Sequence, residues 1–396
     1  MGVFGLLGSG NLGNDGSLEA VLQYLRAEHP DAVVDALCGG PEAVTARYGI
    51  PATRLHWFRG EYRTASRAGA VAGKALGKVV DAARTAAWVR RHDVVIVPGM
   101  GVLEATLPLR PWGFPYALFL LCASGRALRT PVALVGVGAA PIRDRATRAL
   151  VRWSGQLAAY RSYRDELSRT ALRSMGVDTS RDEVYPDLAF ALPTPPASAA
   201  PGQVCVGVMD FHGGNDDRAG AEEIHRRYLD GTTRFVRALV EDGRRVRLLT
   251  GDDCDAPVVA AILAAVDSPL VTASDAASLA DLMREAADAE SVVATRYHNL
   301  VCALKAGTPT LALSYAAKSD ALMDRMGLGP YRHPAREIDV DQLLVQFREL
   351  EKHAVELRKT LTERNREAAD QLRAQFERLT LALFPAAAHD ARREAP

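Results

Sequence analysis

Short apolar runs that stop at glycine turns recur along this chain, and a proline-rich segment cuts the series in two. Val3 to Leu7 runs into Gly8, Gly10 and Gly13. Asp93 to Val97 runs into Pro98, Gly99 and Gly101, and Thr130 to Val137 runs into Gly138. After Pro193 to Gly202 (PTPPASAAPG), the pattern resumes with Val204 to Met209, Arg245 to Thr250, Val292–Val293 and Thr310 to Tyr315. Helical periods fill the intervals, among them Ser17 to Arg26, Arg226 to Glu241 and Ala277 to Ala287. Runs this apolar are buried on both faces, and strands that alternate with helices pair in parallel. The expectation is therefore an α/β chain of two Rossmann-like domains facing across a cleft. The boundaries expected are 1–192, a linker at 193–203, a second domain at 204–340, helices at 341–384 and a disordered tail at 385–396. The stretch from Asp341 to Leu383 is too long for one ordinary helix and is expected to bend or break. No internal repeat is visible.

Ligands of open parallel sheets sit beyond the C-terminal ends of the strands. The richest such stretch runs from Val292 to Asp324. Arg296 and His298 follow the Val292–Val293 strand, and if the backbone is still extended there, both point to one side. Asn299 to Ala306 reads as a short helix stopped by Gly307, Thr310 to Tyr315 as the next strand, and Lys318 opens a further helix. A guanidinium, an imidazole, a lysine and a helix N-terminus would then converge, which suits an oxyanion beside a titratable group. His298 is the first candidate for proton transfer and Arg296 for a bidentate grip on phosphate or carboxylate. Gly10, Asn11, Gly13 and Asp15 form a glycine turn between a strand and a helix, as do Gly99 and Gly101 after theirs. His212, beside Gly213 and Gly214, is a second histidine candidate. Structural readings stay open for all of these: a hydrogen-bonded helix-start histidine, surface ion pairs, tight turns and a loop histidine with no role.

Several classes are excluded. Lys plus Arg equals Asp plus Glu, so no global field favours nucleic acid, and basic residues do not interleave with aromatics. The five cysteines are scattered without a CxxC pair, which argues against a disulfide framework or zinc site and for a reducing cytoplasm. The N-terminus lacks the features of a signal peptide, and the longest apolar run, Tyr116 to Ala123, is far short of the roughly 20 residues that span a bilayer. Contact with the inner face of a membrane stays open. Arg59, Arg63, Arg67, Lys74 and Lys78 fall on one helical stripe, either a solvated face or a docking face for an anionic lipid-linked molecule. There is no Gly-x-Ser-x-Gly elbow, Walker lysine or HExxH pair.

Five blocks carry a resemblance: GSGNLGNDGSLEAVLQYL, the DVVIV strand entering PGMG, the TPVALVGVG strand, the run from Arg164–Asp165 through Ser168 and Gly176 to Pro186–Asp187, and RYHNLVCALKAGTPTLALSYAAKSDALMDRMGL. Together they resemble the polysaccharide pyruvyl transferase family, in the family's order. One block departs, because Met100 interrupts the paired glycines and Glu104 is the nearest acid. The resemblance implies a fold similar to the two-lobed GT-B glycosyltransferase architecture, with C-terminal helices that cross back onto the first lobe. It implies transfer of pyruvyl from phosphoenolpyruvate to a sugar of a polysaccharide or glycolipid precursor, usually as a ketal, with phosphate released. Phosphoenolpyruvate would be a co-substrate, with no cofactor and no metal required, and the acceptor would be a saccharide, free or lipid-linked. On this reading Arg164, Arg296, Lys318, Ser314 and Tyr315 bind the donor, and His298 acts as acid or base. Gly10, Asn11, Gly13, Asp15, Gly99, Gly101 and His212 serve the acceptor side or its loops, and Asp187 is structural. The alternatives are a sugar-nucleotide-dependent glycosyltransferase of the same architecture and a catalytically silent binding protein. Against the first, the helix after Tyr315 offers Lys318, Asp320 and Asp324 but no glutamate to hold a donor ribose.

Overall fold

A computed structural model describes residues 1–57, 67–104, 111–196 and 202–384. They divide into two compact units, one of Met1–Ser9, Ser17–Leu188 and the chain from Gln371, the other of Gly10–Gly16 and Ala189–Asp370. Arg59, Arg63, residues 197–201 of the proline-rich segment and the expected tail at 385–396 lie outside the described residues.

The first unit holds seven strands: β1 (Gly2–Gly5), β2 (Asp35–Cys38), β3 (Ala52–Arg54), β4 (Val95–Pro98), β5 (Val132–Val137), β6 (Tyr160–Tyr163) and β7 (Glu183–Val184). The second holds six: β8 (Gln203–Gly207), β9 (Arg245–Leu249), β10 (Val271–Ala273), β11 (Ser291–Ala294), β12 (Thr310–Ser314) and β13 (Arg332–Pro334). Each sheet is parallel throughout, in the orders β3-β2-β1-β4-β5-β6-β7 and β10-β9-β8-β11-β12-β13. In both, the chain starts mid-sheet, winds outward, then returns to the other side of its first strand. The reversal falls between β1 and β4 in one unit and between β8 and β11 in the other, where such sheets place ligands. The central strands explain the apolar runs: Val95, Ile96, Val97, Val292 and Val293 have no exposed surface. Each such side chain contributes about 1.5–3 kcal/mol of burial.

Side chains set several helix starts. Asp144 accepts from the Thr147 N–H, Asp165 from Ser168, Ser278 from Asp281 and Asp339 from Gln342, each cap being worth about 1 kcal/mol. Two elements differ from their sequence reading. The first long helix starts at Leu12, inside the glycine turn, and not at Ser17. The helix after β11 starts at Tyr297 and not at Asn299. The run after Pro186 is a short 3-10 turn, Leu188–Ala191, and β7 is two residues long.

The long C-terminal stretch breaks at His353, between helices Val340–Lys352 and Ala354–Leu383. From Gln371 onward the last helix packs within the first unit. There Phe376 stacks on Tyr24 with ring centroids 4.6 Å apart, and the buried Gln375 amide donates to Ser162 Oγ at 2.8 Å. Of the basic stripe, Lys74 is exposed and Lys78 is half-buried with its Nζ 3.6 Å from Asp81. No described helix is long and apolar enough to cross a membrane.

Candidate active site

The second unit gathers most of the candidate residues at the C-terminal ends of β8, β9, β11 and β12. Past β11, Thr295 is buried and its hydroxyl pairs with Tyr228 at 2.7 Å. Arg296 then takes the N-cap position, with φ −62° and ψ 132°, and His298 is the second residue of helix Tyr297–Lys305. Extended backbone thus ends at Arg296, so the two side chains do not share a strand face. Arg296 turns to Asp255 instead, donating from Nε to Oδ2 at 2.8 Å and from Nη2 to Oδ1 at 2.5 Å. Asp255 has no exposed surface and also accepts the N–H groups of Asp210 and Gly251. Burial works against the Arg296 charge, but the hydrogen bonds and charge of Asp255 outweigh it and leave the pKa raised. The bidentate fork expected to grip a ligand therefore grips this carboxylate. Cys254, which accepts from Arg296 Nη2 at 3.0 Å, has its thiol pushed up to about 11, chiefly by burial.

His298 is seated against Gly13. The Gly10–Gly16 segment belongs to the second unit, where the Leu12 N–H donates to Gly251 O at 3.2 Å and the Asn11 amide to Asp252 at 2.9 Å. A Cβ on Gly13 would overlap the His298 imidazole. Gly10 has φ +88°, and a Cβ there would lie 2.9 Å from Asp253 Cγ. These glycines leave room for His298 and Asp253. Asp15 is buried in the first turn of its helix.

Beyond β12, Ser314 donates its hydroxyl to Asp320 at 2.7 Å, and the Tyr315 ring lies 5.9 Å from Phe211. The Tyr297 ring has His298 edge-on at 5.3 Å and the Lys318 ammonium at 5.7 Å. Helices Tyr297–Lys305 and Ala317–Arg325 both begin without a side-chain cap. Their first N–H groups carry the positive end of a helix dipole, a natural seat for an anion.

Sequence reasoning missed Asn299. It has no exposed surface, and neither its amide nitrogen nor its oxygen has a partner among the described residues. A Cβ on Gly207 would come within 2.7 Å of the amide nitrogen, and one on Gly251 within 3.0 Å of the oxygen. The available signal was a lone amide in the apolar run that follows Tyr297–His298. His212 meets Asp210 and His225 in the loop after β8.

Arg164 belongs to the first unit. It is 4% exposed and pairs with Glu104, with Asp187 Oδ2 at 3.5 Å and Asp165 Oδ2 at 3.8 Å. Asp187, read as structural, is thus one of three carboxylates around this guanidinium. A Cβ on Gly138 would lie 2.6 Å from Arg164 Nη2, and one on Gly101 2.8 Å from Glu104 Cδ, so both glycines clear space for the cluster. Gly99 has φ +39°. Met100, where the sequence departs from paired glycines, takes φ +61° and fits its side chain against Gly5.

The profile described as polysaccharide pyruvyl transferase matches residues 11–316. The chain belongs to that family. No curated protein matches significantly. Among solved structures, this pyruvyl transferase family member is similar to the UDP-GlcNAc 2-epimerase of Neisseria meningitidis bound to UDP-GlcNAc. The TM-score is 0.61 at 12% identity, over 97% of this chain and 100% of that one. It is also similar to HepE of Anabaena in complex with UDP and glucose, with TM-score 0.58 and 12% identity over 96% and 98% of the two chains. The lipopolysaccharide outer core galactosyltransferase WaaB, apo form, gives 0.55 and 10% over 97% and 99%. These likenesses establish the fold of two parallel-sheet α/β domains with a helical C-terminus, seen here in a pyruvyl transferase.

Proposed function

We propose that this pyruvyl transferase moves the pyruvyl group of phosphoenolpyruvate onto a sugar of a polysaccharide or glycolipid precursor. The product would be a cyclic ketal on two hydroxyls, with phosphate released. The observation that carries this reading is His298, on the first turn of a helix with no side-chain cap inside the family-matched span, with Lys318 against the same Tyr297 ring. In the reaction the donor's methylene carbon gains a proton and becomes a methyl group. A sugar hydroxyl bonds to the adjacent carbon, the carbon–oxygen bond to phosphate breaks, and a second hydroxyl closes the ring. Of the two hydroxyl protons, one balances the methyl group and the other leaves with phosphate.

His298 supplies or removes the proton at the reacting carbon or hydroxyl. Lys318 and the positive N-terminal ends of the two helices meet the donor's phosphate and carboxylate. Arg296 serves indirectly, through Asp255 and the loop from Gly251 to Asp255. We assign Arg164 to the acceptor, because three carboxylates around one guanidinium suit sugar hydroxyls better than an anionic donor. The cytoplasm is the proposed compartment, in keeping with five free cysteines. The test is incubation with phosphoenolpyruvate and a saccharide acceptor, read as phosphate release and a mass gain on the sugar.

A second reading, a sugar-nucleotide-dependent glycosyltransferase, is favoured by the fold likeness to proteins solved with UDP-GlcNAc or UDP. Release of nucleoside diphosphate, and no phosphate release from phosphoenolpyruvate, would select it.

A further inference from the structure

The loop after β8 holds a cluster that the proposed transfer does not use. Asp210 Oδ1 faces His212 Nε2 at 3.0 Å and His225 Nδ1 at 3.4 Å. The two imidazoles stack with centroids 4.4 Å apart and planes 9° apart. One potential ligand atom from each of the three residues lies within 4.8 Å of the others. The residues come from different elements, His212 from the loop and His225 from helix Ala221–Glu241, so no local repeat accounts for their meeting.

The set is held in place from beneath. The Asp210 N–H donates to the buried Asp255 carboxylate at 2.9 Å. Phe211, next to His212, is 1% exposed and packs edge-on against Tyr228 at 5.6 Å. The side chains themselves are open to solvent, at 33% for Asp210, 35% for His212 and 23% for His225, so an ion can reach them. His225 Nδ1 is buried and makes no hydrogen bond among the described residues, although it faces Asp210. Two imidazole nitrogens directed at one carboxylate oxygen leave both rings sharing a single acceptor. A cation placed among them would meet all three groups once one ring turns out of the stack, since parallel rings cannot both aim an in-plane nitrogen at one ion.

We propose that Asp210, His212 and His225 bind one divalent transition-metal ion of the zinc type. Two neutral imidazoles and one carboxylate suit such an ion, whereas calcium and magnesium prefer all-oxygen shells. Three protein ligands leave a coordination position open, the arrangement of sites that take up a further oxygen ligand. The second ring nitrogen of His212 lies 3.9 Å from Glu222, on the side where ligating histidines commonly have a carboxylate. The proposal stands apart from the pyruvyl transfer reading and runs against the expectation of no metal site.

The test uses the full untagged chain, stripped by a chelator. Zn²⁺ binding is followed by calorimetry and Co²⁺ binding by visible absorption, which reports a low-coordinate nitrogen–oxygen shell. One equivalent should bind, and His212→Asn and His225→Asn should each weaken binding by at least about tenfold. Asp210→Asn should do the same while keeping the backbone bond to Asp255, which guards against loss of fold. Cys254→Ser should bind like the parent, since the thiol is no ligand. Failure of the parent chain to bind either ion, or folded histidine variants that bind as well as the parent, would overturn the proposal.

Discussion

The His298 imidazole fills the space that a side chain on Gly13 would occupy. A glycine turn that looks like a ligand cradle in the sequence is thus a seat for the candidate proton-transfer group. Gly13→Ala should displace the ring and lower kcat about 100-fold, the scale on which ångström misplacements act. The double variant Gly13→Ala/His298→Ala should be no slower than His298→Ala alone, because both changes disable one device. Steady-state phosphate release would check this, and additive losses would refute it.

Arg296 and Asp255 form a mostly buried pair. Removing one partner leaves an uncompensated charge, so Arg296→Ala should cost about 3–5 kcal/mol of stability. Arg296→Met with Asp255→Asn should recover part of that loss, because the neutral amide removes the unpaired charge while its oxygen still accepts a backbone N–H. Urea denaturation of the parent and the two variants measures it. A loss below about 1 kcal/mol for Arg296→Ala would put the residue at the level of a surface ion pair.

Among the described residues, Asn299 leaves both ends of its amide unmatched in the core. An apolar residue of similar size removes that penalty, so Asn299→Leu should raise stability by about 1–3 kcal/mol. Activity should fall in the same variant, if the amide is retained for the ligand. Thermal unfolding and phosphate release on one preparation test both halves.

Lys305 is 7% exposed and donates to Phe190 O at 2.8 Å. Burial lowers its pKa below the ordinary 10.5. Between the lowered value and 10.5 the unfolded chain holds a proton that the folded chain has shed, so stability rises with pH across that window. Below the window the penalty is fully in force. Lys305→Met should therefore raise Tm at neutral pH and flatten the alkaline rise, as scanning calorimetry from pH 7 to pH 10 would show.

Much of this protein was legible in its order of residues. The alternation of buried runs and helical periods specified two parallel sheets, because strands covered on both faces must be apolar throughout. The block from Arg296 to Lys318 marked the ends of β11 and β12, and five blocks in sequence pointed to the family. Partners were another matter. That Arg296 is taken by Asp255, that Arg164 lies among Glu104, Asp165 and Asp187, and that Gly13 yields its space to His298 depend on residues far apart in the chain. Local signals state which groups are charged or small. Only the order of strands within each sheet brings loop ends together and so decides which charge meets which, and a helix that starts two residues early changes where the His298 ring can reach.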